Sequence, residues 1–574
     1  MKKVVLFLLA VVMLMSAACT ATTATTAETF SATERGYGGD IAVALTIEGD
    51  KLVDVAIDGA SETQGIGSIA VQELPGKMIA ANSVTVDGIS GATVSSNAIL
   101  AAAGAALEKS GVTLVAVAAD PQEPVVNDDA QADVVVVGGG IAGMSAAMVL
   151  ADAGKSVILL EKTAILGGAA VTSHSAVWAI GNEMTVDKYD FTADEIYEFF
   201  NRKAGPVHSK EVFYALANES YDSLHFLIDN GVYFNDISAC NPQADPRFWF
   251  STSENFGVGM MQKLGETYAN RDIDTRMQTA AVKLVQAENG SVTGVIAENN
   301  GSQYTIIADN VILATGGIGQ NEELMAKYVP GYENIVINLT VPGATGDGHI
   351  MGSEAGGYLV GSGSMGAGTT ATEMGGVAFG NSLMINSKGE KVGAANEHYT
   401  KVYEIVNAQD DGKVYSIFPA DIEKYSREGN QDVMERNYQA GEILKADTLE
   451  ELAEQAGINV ETLLETVATH NEQCAAGITD GFNSPIEEMV PILTGPFYLE
   501  PRMSGIIGTI TGLAVNDEMK VLTENGGVVE NLYAVGEMIY GNWFEGNYPM
   551  SGTGLGGCVS SGRIAAAEII QEIN

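Results

Sequence analysis

The segment Gly138-Gly139-Gly140-Ile141-Ala142-Gly143 sets three glycines at G-x-G-x-x-G spacing, directly after the apolar run Asp133-Val134-Val135-Val136-Val137. Between a strand and a helix, that spacing lets backbone amides and the positive helix end hold a pyrophosphate. Gly138 would make the tight turn, Gly140 would admit the phosphates, and Gly143 would let helix and strand pack closely. A second apolar run, residues 156–160, ends at Glu161, 23 residues after Gly138. A carboxylate there would take ribose hydroxyls. The alternative is a βαβ unit with no ligand. A second anion site is written earlier in the chain. Asp87-Gly88-Ile89-Ser90-Gly91-Ala92-Thr93 leads into an Ala-rich helical pattern over 94–107, so the Thr93 hydroxyl falls at a helix N-terminus, well placed for a phosphoester. An ordinary N-cap at Ser90 or Thr93 would look the same.

Further segments separate one dinucleotide from another. Leu166-Gly167-Gly168-Ala169 follows Glu161 and Lys162 closely, as a second flavin-contacting loop does. Val311-Ile312-Leu313-Ala314-Thr315-Gly316-Gly317 resembles the strand and Ala-Thr-Gly signature of FAD proteins, with Asp347 downstream. Leu532-Tyr533-Ala534-Val535-Gly536-Glu537 resembles the strand whose terminal acid holds the flavin ribityl chain. Ser551-Gly552-Thr553-Gly554-Leu555-Gly556-Gly557 then opens a helix that would direct its N-terminus at the flavin. The cofactor-binding set is thus Gly138, Gly140, Gly143, Glu161, Lys162, Gly167, Gly168, Ala169, Gly317, Asp347, Glu537, Gly552 and Leu555, for non-covalent FAD.

The elements that must position these residues divide the chain. Lys2-Lys3 and an apolar run to Met15 precede Ser16-Ala17-Ala18-Cys19, which resembles a bacterial lipoprotein signal over 1–18 with Cys19 lipidated. Ser16 stands where that pattern has Leu, which leaves simple secretion as the alternative. Residues 19–35 read as a tether, 36–117 as strand–strand–helix, 118–131 as an acidic, Pro-containing linker, 132–345 as the first part of the nucleotide fold, 346–496 as an insertion, and 497–574 as its second part. The 574 residues carry 29 basic and 73 acidic side chains, a net charge of −44, which repels phosphate backbones and excludes nucleic acid as an expected partner. Four widely spaced cysteines disfavour zinc ribbons, iron–sulfur clusters and attached haem.

Asp-Gly-x-Ser-Gly-Ala-Thr is similar to the motif of FMN-binding domains in which a flavin transferase joins FMN to the final threonine. Glu62-Thr63-Gln64-Gly65-Ile66-Gly67 resembles their glycine-rich loop. FMN carrier, linker and FAD domain in that order resemble the soluble fumarate reductase and urocanate reductase family. The implied fold class is α/β: a Rossmann-like FAD-binding domain with an inserted α+β cap, preceded by a small α+β FMN-binding domain. The implied reaction is hydride transfer from FAD to one carbon of an activated C=C, with a proton delivered to the other. The implied partners are an unsaturated acceptor, a flavin transferase and a membrane electron donor that is not soluble NADH. FMN, covalent on Thr93, would relay the electrons.

The catalytic positions depart from that family. Its arginine acid, four residues past a Glu, is here Lys401, four past Glu397, with Tyr399 a competing donor. The alternative is Lys401 as a solvated surface charge. The clamp histidine run is replaced by Ile507-Gly508-Thr509-Ile510-Thr511-Gly512, and the clamp-arginine segment by Glu545-Gly546-Asn547-Tyr548-Pro549-Met550. Two carboxylates need two cationic forks, so fumarate is disfavoured and an aryl acrylate, enoate or enone is expected. Arg502 would bind one carboxylate or carbonyl, or serve as a structural ion-pair partner. Thr372-Glu373 resembles a substrate-side pair, and His174 lies near the flavin or in the core. A ketone dehydrogenase with Tyr399 or Tyr548 as acid/base, and a non-enzymatic electron shuttle, are the competing readings. The expected location is the extracytoplasmic face of the membrane.

Overall fold

The computed structural model describes residues 27–573 except 37–38, 63–66, 90–91, 118–128, 186–190, 204, 240–248, 254–255, 370–381, 396, 398, 422–434, 436, 440 and 547. Cys19, the leader, most of the linker and Thr372-Glu373 therefore lie outside the described residues, as do Ser90, Gly91 and the centre of the Glu62–Gly67 loop. The chain forms two compact units, residues 1–120 and 121–574.

In the first unit, Asp40–Glu48 alternates inward and outward, burying Ile41, Val43, Leu45 and Ile47, the period of a half-buried strand. Gly49, at φ 67°, turns it back into Lys51–Asp58. Helices Gly67–Ala81 and Thr93–Ser110 cover the apolar face, and the second ends on left-handed Gly111. The expected tether needs correcting here. Glu28–Arg35 is a strand, antiparallel to Asp40–Glu48 in register Glu28↔Ile47 to Arg35↔Asp40. Its side chains are mostly exposed, so its pairing rests on backbone bonds that leave no apolar alternation to read.

In the second unit, parallel strands run in the order Val528–Ala534, Ser302–Leu313, Ala130–Val137, Val157–Leu160, Asp274–Arg276. The valines of Ala130–Val137 are almost fully buried, each contributing about 1.5–3 kcal/mol of burial. Helices Ile141–Asp152 and Thr553–Ile573 cross at Gly562, where a Cβ would stand 2.3 Å from the Ala142 carbonyl oxygen.

The cap is a second sheet built on one long strand, Phe497–Thr509. Ser364–Thr369, Val414–Phe418 and Leu444–Ala446 pair with it antiparallel, and Leu383–Asn386 extends the sheet beyond Val414–Phe418. The expected boundary at 496 therefore moves, because the long strand pairs within the cap sheet as far as Thr509, which bonds Ile318 and Glu537 of the nucleotide fold. Helix Asp347–Glu354, expected in the cap, is held to the nucleotide fold by Lys162. Two capped helices, Leu449–Ala456 behind Thr448 and Val460–Ala476 behind Asn459, cover the cap core of Leu383, Ile417, Leu452, Leu463 and Leu499.

Lys391 and Asp480 form an almost fully buried ion pair, with side chains 12 % and 2 % exposed. Burial opposes ionisation of Asp480, but hydrogen bonds from Lys391 and Ser484 outweigh it and hold the carboxyl down at about 2. The pair ties the turn before the cap helix Tyr399–Asn407 to the loop at 480–484. Asp480→Ala should cost on the order of 3 kcal/mol, by leaving Lys391 buried and unpaired. Because the folded carboxyl titrates below its unfolded value, wild type should lose the same contribution as pH falls from about 4 towards 2. Urea midpoints of the cap transition at pH 6 and at acid pH check both outcomes.

Candidate active site

The nucleotide cradle forms where the first strand meets its helix. Gly138 has φ 112°, open to glycine alone at low cost, and a Cβ there would stand 2.3 Å from the Ala314 carbonyl oxygen. A Cβ on Gly143 would stand 2.0 Å from the Gly138 oxygen, whereas one on Gly140 would meet nothing within 4 Å. The loop is thus tight on its protein side and open where a pyrophosphate would lie. Glu161 is buried and accepts the Gly139 N–H at 2.8 Å and the Thr163 N–H at 2.7 Å. Those bonds orient the carboxylate beside the glycine turn. The Gly167 N–H donates to the Gly139 oxygen, and Gly168 and Ala169 continue in a short 3-10 turn. Lys162 reaches Asp347 at 2.7 Å and also bonds Thr345.

On the opposite side stands Glu537. Its Oε1 accepts the Thr509 N–H at 2.8 Å and the Thr509 hydroxyl at 3.0 Å. Its Oε2 has no hydrogen-bond partner among the described residues. Burial raises the pKa of this carboxyl, and the two Thr509 bonds oppose the rise. Gly317 lies flat against it, since a Cβ would sit 2.0 Å from Oε1. A polyol chain fits this half-satisfied carboxylate. The loop before the C-terminal helix completes the wall. Gly552 has φ 89° and accepts the Trp178 N–H, the Gly554 N–H donates to the Tyr548 hydroxyl at 3.0 Å, and Leu555 is partly exposed in the first turn. These residues fit a flavin dinucleotide.

The three catalytic candidates part company. Tyr399 starts helix Tyr399–Asn407 in the cap, and its phenol lies near the Ser551 hydroxyl, at the head of the C-terminal helix. Burial pushes its phenol up to about 12, partly offset by Ser551. Lys401, two residues on, is exposed and bonds Glu404 at 2.7 Å. The expectation of a buried lysine donor is corrected to a solvated charge, because positions two apart on a helix point to nearly opposite faces. Arg502 is buried in the cap sheet, its Nε donating to Ser416 at 2.8 Å and its Nη2 standing 3.7 Å from Glu500. Burial lowers its pKa and Glu500 opposes that. This is the ion-pair role rather than an open fork. His174 is exposed, which rules out the core site. Thr93 begins its helix, behind Ala92, which caps without a side-chain bond. Its side chain lies outside the described residues.

Several residues escaped the sequence reading. Thr509, which orients Glu537, and Ser551, which meets Tyr399, are small hydroxyl residues inside motif-like segments. Only their position beside a known acid or helix head would have marked them. Tyr403 is one turn beyond Tyr399. Its ring packs where a Gly366 Cβ would lie, 2.3 Å from Tyr403 Cδ1, and its hydroxyl is 3.3 Å from Ser364 Oγ. The alternation Ser364-Met365-Gly366 thus seats the helix that carries Tyr399.

Gly317→Ala should displace the Glu537 carboxylate and reduce FAD retention at least about tenfold, and Gly143→Ala should do the same by opening the glycine turn. Gly265→Ala, whose Cβ would meet nothing within 4 Å, should retain flavin normally. The flavin-to-protein absorbance ratio after desalting reads all three.

Comparison with known proteins agrees with this geometry. Residues 133–555 match the family model described as FAD binding domain, and residues 36–108 that described as FMN-binding domain. The chain is 29 % identical over 572 residues to a urocanate reductase of Eggerthella lenta, covering 94 % of this chain and 92 % of that protein. It is 26 % identical to an NADH:acrylate oxidoreductase of Vibrio harveyi, over 93 % of this chain and 60 % of the relative. Among solved structures, the open conformation of a flavocytochrome c3 fumarate reductase matches with a TM-score of 0.63 at 25 % identity, over 78 % of this chain and 79 % of that one. Glycine cradle, half-satisfied ribityl-side acid and matched residues together make this chain a member of the FAD binding domain family, a flavoprotein oxidoreductase with an FMN-binding domain ahead of it.

Proposed function

We propose that this protein reduces the C=C bond of a small conjugated acceptor other than fumarate, with Tyr399 as proton donor. The observation that carries the reading is the placement of the buried Tyr399 phenol near Ser551, which brings a cap phenol to the head of the C-terminal helix. The relatives named as urocanate and acrylate reductases support the reaction class. FAD, when bound and reduced, supplies hydride chemistry. The chain's own residues do the rest. Tyr399 holds a proton up to about pH 12 and gives it to the acceptor carbon that does not receive hydride. The Ser551 hydroxyl, near the phenol oxygen, favours the phenolate left behind. Tyr548 accepts the Gly554 N–H on its oxygen, which places a second phenol beside the same helix head.

Among the described residues, neither candidate cation offers an open fork, which supports a neutral or singly charged activating group. Arg502 is already met by Glu500, and Lys401 faces water. An aryl acrylate, enoate or enone fits such a wall better than a dicarboxylate. Covalent FMN on Thr93 is part of the proposal, supported by the matched FMN-binding domain and by a helix that begins at that residue. So are a lipid anchor at Cys19, work on the extracytoplasmic face and a membrane electron donor, which rest on the N-terminal sequence alone.

The test is anaerobic reoxidation of the reduced protein by a panel holding fumarate, urocanate, cinnamate, short enoates and steroid enones. Rapid reoxidation by a class other than fumarate supports the reading. Reoxidation by artificial dyes alone overturns it in favour of the dehydrogenase or shuttle. With an active acceptor in hand, Tyr399→Phe should lower kcat by about 10²–10⁴ while leaving flavin absorbance unchanged. Lys401→Ala should stay within about twofold, as an exposed i,i+3 pair is worth little. The wild-type kcat should hold level from pH 6 to about pH 10, since the donor stays protonated below its raised pKa.

A further inference from the structure

The first unit contains a buried carboxylate that hydride chemistry at the FAD does not use. Glu62 is 6 % exposed, and Ser95, buried in the first turn of helix Thr93–Ser110, donates its hydroxyl hydrogen to Glu62 Oε2. Two glycines make room for the carboxylate. A Cβ on Gly36 would stand 2.3 Å from Glu62 Oε1, and one on Gly67 would stand 2.4 Å from Oε2 and 2.6 Å from Ser95 Oγ. The same turn is held by the next serine, because Ser96 Oγ accepts the Ile89 N–H at 3.0 Å. Burying a carboxylate is costly. A single Ser or Asp at the cap position would stabilise this helix more cheaply, yet the cap is Ala92, without a side-chain bond. The arrangement fixes the geometry of one turn, and that turn starts at Thr93.

We infer that Glu62 is a positioning residue for attachment of the flavin to Thr93, acting through Ser95; this rests on the Thr93 assignment proposed above. A charge-assisted bond to Ser95, two residues after Thr93, anchors the first turn to the loop at Gly59–Glu62 and keeps it from fraying. Attachment needs the turn ordered, because the bond made is a phosphoester. The Thr93 Oγ–P bond forms and the P–O bond to the AMP half of a flavin dinucleotide donor breaks. AMP leaves with the electron pair, and the hydroxyl proton passes to solvent. The flavin transferase brings the donor, while the chain's part is to present the hydroxyl. A misplacement of about 1 Å at such a centre costs up to about 10² in rate.

The experiment co-expresses the full chain with a flavin transferase and follows covalent flavin over time, by in-gel fluorescence of the denatured protein and by intact mass. Wild type should label and Thr93→Ala should not. Glu62→Gln, which keeps size and loses charge, should label at least about tenfold more slowly. Ser95→Ala should match it, and Ser95→Thr, which keeps the hydroxyl, should restore labelling. Hydrogen-exchange protection across Asp40–Glu48 should stay at the wild-type level in the slow variants. Labelling of Glu62→Gln at the wild-type rate overturns the inference alone. A wild type that never labels at Thr93 overturns the Thr93 assignment and this inference with it. Slow labelling matched by lost protection in both Glu62→Gln and Ser95→Ala also overturns it, assigning Glu62 to stability.

Discussion

Glu537 and the end of strand Phe497–Thr509 meet in one short contact, and the rest of the second unit is arranged around it. The strand leaves the cap sheet at its N-terminal end and delivers the Thr509 N–H and hydroxyl to a single carboxylate oxygen at its C-terminal end. Because Gly317 lies flat against that oxygen, three segments distant in sequence must close together before the acid is oriented. Burial would otherwise favour its neutral form. Two hydrogen bonds to one oxygen keep the other turned to the cradle, which is what a half-open polar site requires.

The same strand ties chemistry to architecture. Ser364–Thr369 pairs along it, and the cap helix Tyr399–Asn407 packs on Ser364–Thr369 through the absent side chain of Gly366. The position of Tyr399 is thereby referred to the strand that orients Glu537. A phenol from the cap and the Glu537 carboxylate thus share one frame. Arg502 lies on this strand too, but its charge is spent on Glu500 and Ser416 inside the sheet. It stiffens the frame.

The glycine turn, its strand and helix, and the acid at Glu161 were legible in the sequence, because each depends on local sterics within a short stretch. The edge strand Glu28–Arg35 was not. Its partners lie on the neighbouring strand and its side chains face water, so nothing in its composition distinguishes it from a polar tether. The cap boundary was misplaced for a related reason, since the strand Phe497–Thr509 pairs with cap strands far away in sequence.

Sequence alone determined that the nucleotide fold must hold a dinucleotide, since pyrophosphate contact is made by backbone, and glycine spacing is the record of backbone geometry. It also offered two candidate proton donors on one cap segment. Tertiary structure decided between their placements. Tyr399 and Lys401 are two positions apart, which a spacing argument treats as near neighbours, but a helix rotates about 100° per residue and turns one inward as it turns the other out. Which of them meets Ser551 depends on how the helix is seated over Gly366. That packing joins residues far apart in the chain and leaves no local pattern.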